Sequence, residues 1–177
     1  LRRKPSLKLS DTDLTLENHG SERKLSLRAR PPAQLAAEVQ LVAELRGTDP
    51  RKLEQWSGKV YAAATSANLV TINEYLAFNS KLESGLGSVK AWVDLDNGSI
   101  GAVTAEVDLR DVNARLRKDL ATLNLTNLAG RFAYTQNAQQ RRLVTQGLQG
   151  QFASPRVRLA PTDLELTLQA SAGSSME

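Results

Sequence analysis

The chain has no cysteine. That excludes disulfides, thiol catalysis and thiolate metal sites, and it leaves the compartment open. Histidine occurs once, as His19 in the polar turn Glu17-Asn18-His19-Gly20, where a solvated side chain is the default. A metal would have to rest on carboxylates. The pairs Asp11-Asp13 and Asp94-Asp96 are i,i+2 neighbours at strand ends with no EF-hand-like loop, and they read as solvated turn residues. No metal and no other cofactor is expected.

Aromatic residues make up only 5% of the chain, too few for base-stacking platforms. The net charge of +4 is modest. Its basic clusters (Arg28/Arg30, Arg115/Arg117/Lys118, Arg141/Arg142, Arg156/Arg158) are scattered and read as solvated strand faces, so no nucleic-acid partner is expected. Phosphate loops, dinucleotide fingerprints and nucleophile elbows are missing, and Gly85-Leu86-Gly87 is too short to cradle a phosphate. A Ser–His pair would depend on His19 alone. No catalytic residue is assigned, and the chain does not read as an enzyme.

No apolar run approaches the roughly 20 residues of a transmembrane helix, and no signal peptide is evident. Alternation begins at once after Leu1, which reads as a segment excised from a longer protein whose anchor or signal lies outside it. Residues 1–170 read as one β-rich unit and 171–177 as a frayed tail.

Alternation of apolar and polar residues dominates what is present. Leu7, Leu9, Leu14 and Leu16 alternate around a polar break at Ser10–Asp13, and Leu25, Leu27 and Ala29 resume after the turn at Asn18–Ser21. Pro31-Pro32 ends that strand. Val39, Leu41, Ala43 and Leu45 follow, so 25–30 and 35–46 are expected to pair antiparallel. After the turn at Gly47–Pro50 and one helical turn at 51–55, Trp56 to Ala64 alternates with small residues. Leu69, Ile72, Tyr75 and Leu76 then fall at helical spacing. They predict the single substantial helix over 67–77, capped by Ser66 or Asn68.

Gly85 to Leu109 reads as a β-hairpin turning at Asp96-Asn97-Gly98-Ser99. Val89, Ala91, Val93 and Leu95 share one face of the first strand; Val103, Ala105, Val107 and Leu109 share one face of the second. Directly paired residues point the same way, so the two sets share a face only if the pairing parity is right. A three-residue loop, Asn97–Ser99, achieves this. It sets Val93 against Val103, Ala91 against Ala105, Val89 against Val107 and Lys90 against Glu106, with Gly98 or Gly101 as the bulge glycine. Beyond Leu109 the apolar phase changes, which predicts a bulge near Arg110-Asp111. Further alternating runs reach Tyr134, then Phe152, then Leu168. The sum is nine to twelve short strands and one helix, a mainly β, antiparallel architecture.

The two ends echo one another. Pro5 to Leu16, PSLKLSDTDLTL, aligns without gaps on Pro155 to Leu166, PRVRLAPTDLEL. Two alternating strands of one protein often look alike. A true repeat would make the last strand begin a second copy of what the first begins, as in an elongated protein built of repeats.

An apolar sheet face must be covered, by a second sheet, a helix or a non-protein ligand. A fully buried Leu or Val is worth roughly 1.5–3 kcal/mol, so a wide wet face is not tolerated. One eleven-residue helix spans about 16 Å and covers only part of it. Either the sheet closes as a sandwich, a structural or protein-binding module, or it stays open as a trough for apolar guests such as lipid tails. The trough wall would be Leu25, Leu27, Val39, Leu41, Ala43, Leu45, Val89, Ala91, Val93, Leu95, Val103, Ala105, Val107 and Leu109.

Four stretches carry a family resemblance: PSLKLSDTDLTLEN from Pro5, WSGKVYAAATSANL (Trp56–Leu69), GLGSVKAWVDLDNGSI (Gly85–Ile100) and LNLTNLAGRFAY (Leu123–Tyr134). In this order they resemble the AsmA-like bacterial envelope proteins, especially the YhdP branch. The resemblance implies a periplasmic segment of a protein anchored in the inner membrane. It implies curved β-sheets whose apolar groove passes phospholipids toward the outer membrane. The implied partners are phospholipid acyl chains, neighbouring β-repeats of the same full-length chain and envelope membrane proteins.

Overall fold

The computed structural model describes residues 7–49, 51–76, 81–115, 121–137, 139–153 and 156–169. Among the described residues nine strands form one sheet: β1 (Ser10–His19), β2 (Glu22–Arg30), β3 (Glu38–Arg46), β4 (Ser57–Asn68), β5 (Lys81–Asp96), β6 (Ser99–Arg115), β7 (Leu123–Gln136), β8 (Gln140–Phe152) and β9 (Val157–Gln169). Their order in the sheet is their order in the chain, and every neighbouring pair is antiparallel. The helix α1 (Leu69–Leu76) lies between β4 and β5. The mainly β, antiparallel expectation holds.

The strands are longer than expected, up to 17 residues in β6. The reason is local. Where the apolar phase slips, the chain inserts a bulge and continues, instead of ending a strand. The polar break at Ser10–Asp13 is such a bulge, with Asp11 at φ 45°, and so is the slip at Asp111, at φ 52°. Leu7 and Leu9 precede β1 and are not part of it. Leu35 to Ala37, expected in β3, belong to the β2–β3 connection, where Leu35 and Ala36 are buried. The turn at 51–55 is a short 3-10 helix at Leu53–Gln55.

The β5–β6 hairpin has the expected register and a different loop. Val89, Lys90, Ala91 and Val93 face Val107, Glu106, Ala105 and Val103. However, Asp96 pairs with Ser99, so the loop is the two residues Asn97 and Gly98, at φ 46° and 71°. Positive φ at both central residues is the type I′ turn, whose twist matches that of the flanking strands. Parity survives because Gly101 is an extra residue in β6: Asp94 faces Ala102, while Leu95 faces Ile100. The hairpin tip is also anchored laterally. Gly98 N–H donates to the Trp56 carbonyl at 2.8 Å, and Asn97 N–H to Ser57 Oγ at 2.9 Å.

Further bulges carry positive φ at Ser66 in β4 and Gly147 in β8. With Asp11 they lie close to one transverse row, Ala29–Val39–Ala64–Val89–Val107–Gly130, and Asp111 lies four residues beyond it along β6. A bulge bends its strand and increases the local twist, so aligned bulges turn the strands along a common line. Neighbouring side chains satisfy the backbone groups involved. Ser84 Oγ donates to the Asp111 carbonyl at 2.6 Å, Ser88 Oγ accepts from Ser66 N–H, and the Asp163 carboxylate accepts from Gly147 N–H at 2.7 Å.

On one side of that line α1 packs against β5 and β4. Asn68 caps it: its Oδ1 accepts from Val70 N–H and Thr71 N–H at 3.1 and 3.2 Å. The helix starts at Leu69, not 67, because Ala67 and Asn68 still pair with Gly87 and Leu86; Ala77 lies outside the described residues. Leu69, Leu82, Leu109, Leu123, Leu128 and Phe152 surround the buried Val112, Ala114 and Leu125. Among the described residues the buried apolar cluster lies at this end, while Ala43 and Trp56 are buried away from it. β1 and β9 sit at opposite edges and do not meet, so the sheet is open. The closed-sandwich alternative is therefore corrected: no second sheet covers the apolar face among the described residues. The expected tail at 171–177 lies outside them.

Candidate functional site

The site is the apolar face beyond the helix-covered end. Registers across all nine strands place side chains in transverse rows. One row runs Leu14, Leu27, Leu41, Ala62, Ala91, Ala105, Phe132, Thr145, Leu164. The next runs Leu16, Leu25, Ala43, Val60, Val93, Val103, Tyr134, Leu143, Leu166. Val39, Val89 and Val107 lie in the row before them; Leu45 and Leu95 lie in the row after. Leu109 stands two residues beyond Val107, opposite Gly87, and touches the core under α1. Every wall residue expected from the sequence thus shares one face. All are half-buried except Ala43, which is 5% exposed.

The rows have a profile. Alanine and valine line the central strands β4, β5 and β6, while leucine and phenylalanine rise on both flanks. The flanks are the wettest part. Leu14 and Leu16 are both 61% exposed, and Leu164, Leu166 and Leu168 are 53–57% exposed. Polar atoms within the rows are satisfied locally. Thr145 is buried and its Oγ1 accepts from Leu164 N–H at 3.0 Å, and the Tyr134 hydroxyl donates to Gln136 Oε1 at 2.6 Å. Across about eight interstrand gaps of roughly 4.8 Å, the rows extend about 38 Å.

Leu14, Leu16, Val60, Ala62, Phe132, Tyr134, Leu143, Leu164 and Leu166 belong to this face and were absent from the wall read from the sequence. Their alternation marked them as strand residues. Which side of the sheet they share with Val93 depends on registers set by bulges between the strands.

The opposite face is charged. Lys24–Glu44, Arg28–Glu38, Arg46–Glu22, Lys90–Glu106, Arg131–Glu106 and Arg142–Glu165 pair across adjacent strands. Tyr61 packs on Trp92 with ring centroids 5.3 Å apart, and Arg131 lies 5.9 Å over the Trp92 ring. The Arg142 guanidinium donates two hydrogen bonds to Glu165 and holds its carboxylate below the usual range; the arginine shifts upward in return. Such exposed pairs contribute little stability individually and keep this face wet. Asp11 lies in the β1 bulge, not in a turn, and forms an ion pair with Arg30 at 2.8 Å. Among the described residues no three His, Asp or Glu cluster as metal ligands, and no helix is long and apolar enough to cross a membrane.

A shallow concavity of about 410 Å³ lies where Glu22, Arg23, Lys24, Glu44 and Arg46 meet the start of β4. Four of its lining residues form the ion pairs Lys24–Glu44 and Arg46–Glu22 across β2 and β3.

A family model described as YhdP protein matches residues 2–176. No curated protein and no solved structure matches the chain.

Proposed function

The chain belongs to the YhdP family, and from that premise we propose that its open apolar face is a groove for phospholipid acyl chains, one segment of a bridge between the inner and outer membranes. The protein would be periplasmic and held by an inner-membrane anchor outside this chain, with envelope membrane proteins as further partners. We assign no catalytic step to it.

One observation carries this reading: apolar rows continuous over nine strands, uncovered among the described residues, with half-exposed leucines at both flanks. Half a bilayer's hydrocarbon core is about 15 Å thick, so a row of about 38 Å accommodates more than one acyl chain length. Each methylene leaving water for the wall contributes about 0.8 kcal/mol. A smooth wall of Ala, Val and Leu suits a flexible guest, because it demands no fixed shape. The groove residues are the wall expected from the sequence without Leu109, which packs on the core under α1, together with Leu14, Leu16, Val60, Ala62, Phe132, Leu143, Leu164 and Leu166.

Native mass spectrometry of the purified chain tests this. Phospholipid adducts are expected on the parent protein. Val93→Asp and Val103→Asp should lose them while the circular dichroism spectrum stays unchanged. A parent chain that is clean of lipid after exposure to phospholipid vesicles overturns the reading, and variants that unfold would show these positions to be core.

A further inference from the structure

We propose that the free edge of β9 receives a strand with the chemistry of β2. The argument is independent of whether the groove carries lipid.

β9 repeats β1. At a constant offset Leu9 is answered by Leu159, Thr12 by Thr162, Asp13 by Asp163, Leu14 by Leu164, Leu16 by Leu166, and Lys8 by Arg158. The likeness extends to structure. Thr12 Oγ1 donates to the carbonyl two residues back, that of Ser10, at 3.4 Å; Thr162 Oγ1 does the same to Ala160 at 2.7 Å. Each strand changes register at this point, between Ser10 and Asp13 in β1 and around Thr162 in β9. Each then presents its two following leucines to the same face.

The two strands stand at opposite edges of the sheet, and each shows the partner that the other lacks. β1 is paired on one side, with β2: Asp13 faces Arg28, Leu14 faces Leu27 and Leu16 faces Leu25. Among the described residues β9 is paired only with β8. A strand that repeats β1 offers on its open side what β1 offers to β2. The partner is therefore a strand with leucines opposite Leu164 and Leu166 and a cation opposite Asp163.

The edge itself favours occupation. Natural sheets guard exposed edges with lysine, proline, bulges or short strands. From Leu164 to Gln169, LELTLQ, β9 has none of these: no Lys, Pro or Gly, and an unbroken register with β8 from Leu164 onward. Pro161 and the register change around Thr162 lie before this stretch; the six residues themselves are regular and apolar on one face, the form that takes up a further strand by main-chain pairing.

The lack of native cysteine makes the register testable. The chain carrying Leu164→Cys is mixed under oxidising conditions with a peptide of residues 20–31 that carries Leu27→Cys, or with one that carries Ser26→Cys. Mixed disulfide should form about tenfold faster with the Leu27→Cys peptide, since the other presents its thiol on the opposite face. A second pair, Leu166→Cys with Leu25→Cys, should behave likewise, and the Leu166→Cys chain should prefer that peptide to the Leu27→Cys one. Both chain positions are exposed leucines, and circular dichroism reports whether each variant keeps the parent fold. If one does not, the other pair decides. Equal capture of all peptides, no capture by a folded variant, or disulfide dimers of the chain persisting in excess peptide would overturn the proposal, the last by showing that a second copy takes the edge.

Discussion

Leu95 lies directly across from Ile100, although the neighbouring pair Asp94–Ala102 points to Gly101 as the next partner. Gly101 is thus the spare residue that lets a two-residue turn coexist with a shared apolar face. Deleting Gly101 should leave Leu95–Ile100, Asp94–Ala102 and Val93–Val103 paired around the same two-residue turn, whereas inserting a second residue after Gly101 should move Val103, Ala105 and Val107 to the charged side. The expected outcome is a cooperative thermal transition kept by the deletion and lost by the insertion. Gly101→Ala should be mild, because an added Cβ meets only the Asp94 carbonyl oxygen, at 3.8 Å.

Gly87 is the sharper glycine. A Cβ there would collide with the Asp108 carbonyl oxygen and lie 2.8 Å from Leu109 Cα, both backbone atoms of the paired strand. Neither can yield without moving β6. Gly87→Ala should cost about 1–3 kcal/mol in urea denaturation, the range of an overpacked core.

The cap on α1 is a separate lever. Asn68→Ala removes the acceptor for two helix N–H groups and should cost about 1 kcal/mol, whereas Asn68→Asp should keep most of the stability. Because α1 covers Val112, Ala114 and Leu125, hydrogen exchange should accelerate in β6 and β7 at that end before it does at the hairpin tip.

Filling the groove floor separates an open wall from a closed core. Ala91 is half-buried between Ala62 and Ala105. On an open face Ala91→Phe has room to lie along the surface, so stability should change by less than about 0.5 kcal/mol. Retained phospholipid, read by native mass spectrometry, should fall. In a closed core the same change would cost about 1–3 kcal/mol.

Glu165 provides a pH test at the β8–β9 edge. Its carboxylate is held low by the Arg142 hydrogen bonds. The stabilisation from this pair is therefore present above the carboxylate's unfolded-state pKa and is lost as pH falls through the lower folded value. Arg142→Met should return Glu165 to the ordinary carboxylate range in an NMR titration and flatten the acid side of the β8–β9 exchange profile.

The sheet was largely legible in the alternation, and the Val93–Val103 register followed from parity alone. Loop length was not legible. Parity admits either an odd loop or an even loop with a bulge, and Gly101 decides between them through its place in β6. The edge leucines were visible as strand residues, but bulges at Asp11, Ser66, Asp111 and Gly147 set which neighbours they meet. A bulge is only weakly coded, since a Ser or Asp at positive φ is held there by partners such as Ser84 and Ser88 on the next strand.

The sequence by itself determined that Val89 to Val93 and Val103 to Val107 present one apolar face, because side chains alternate with a period of two and paired residues share a side. Only the tertiary structure decided that the face is open. That depends on where β1 and β9 end up, at opposite edges of one sheet, and on α1 reaching only the Val112–Leu125 end. Both outcomes come from long-range registers, and no local pattern records them.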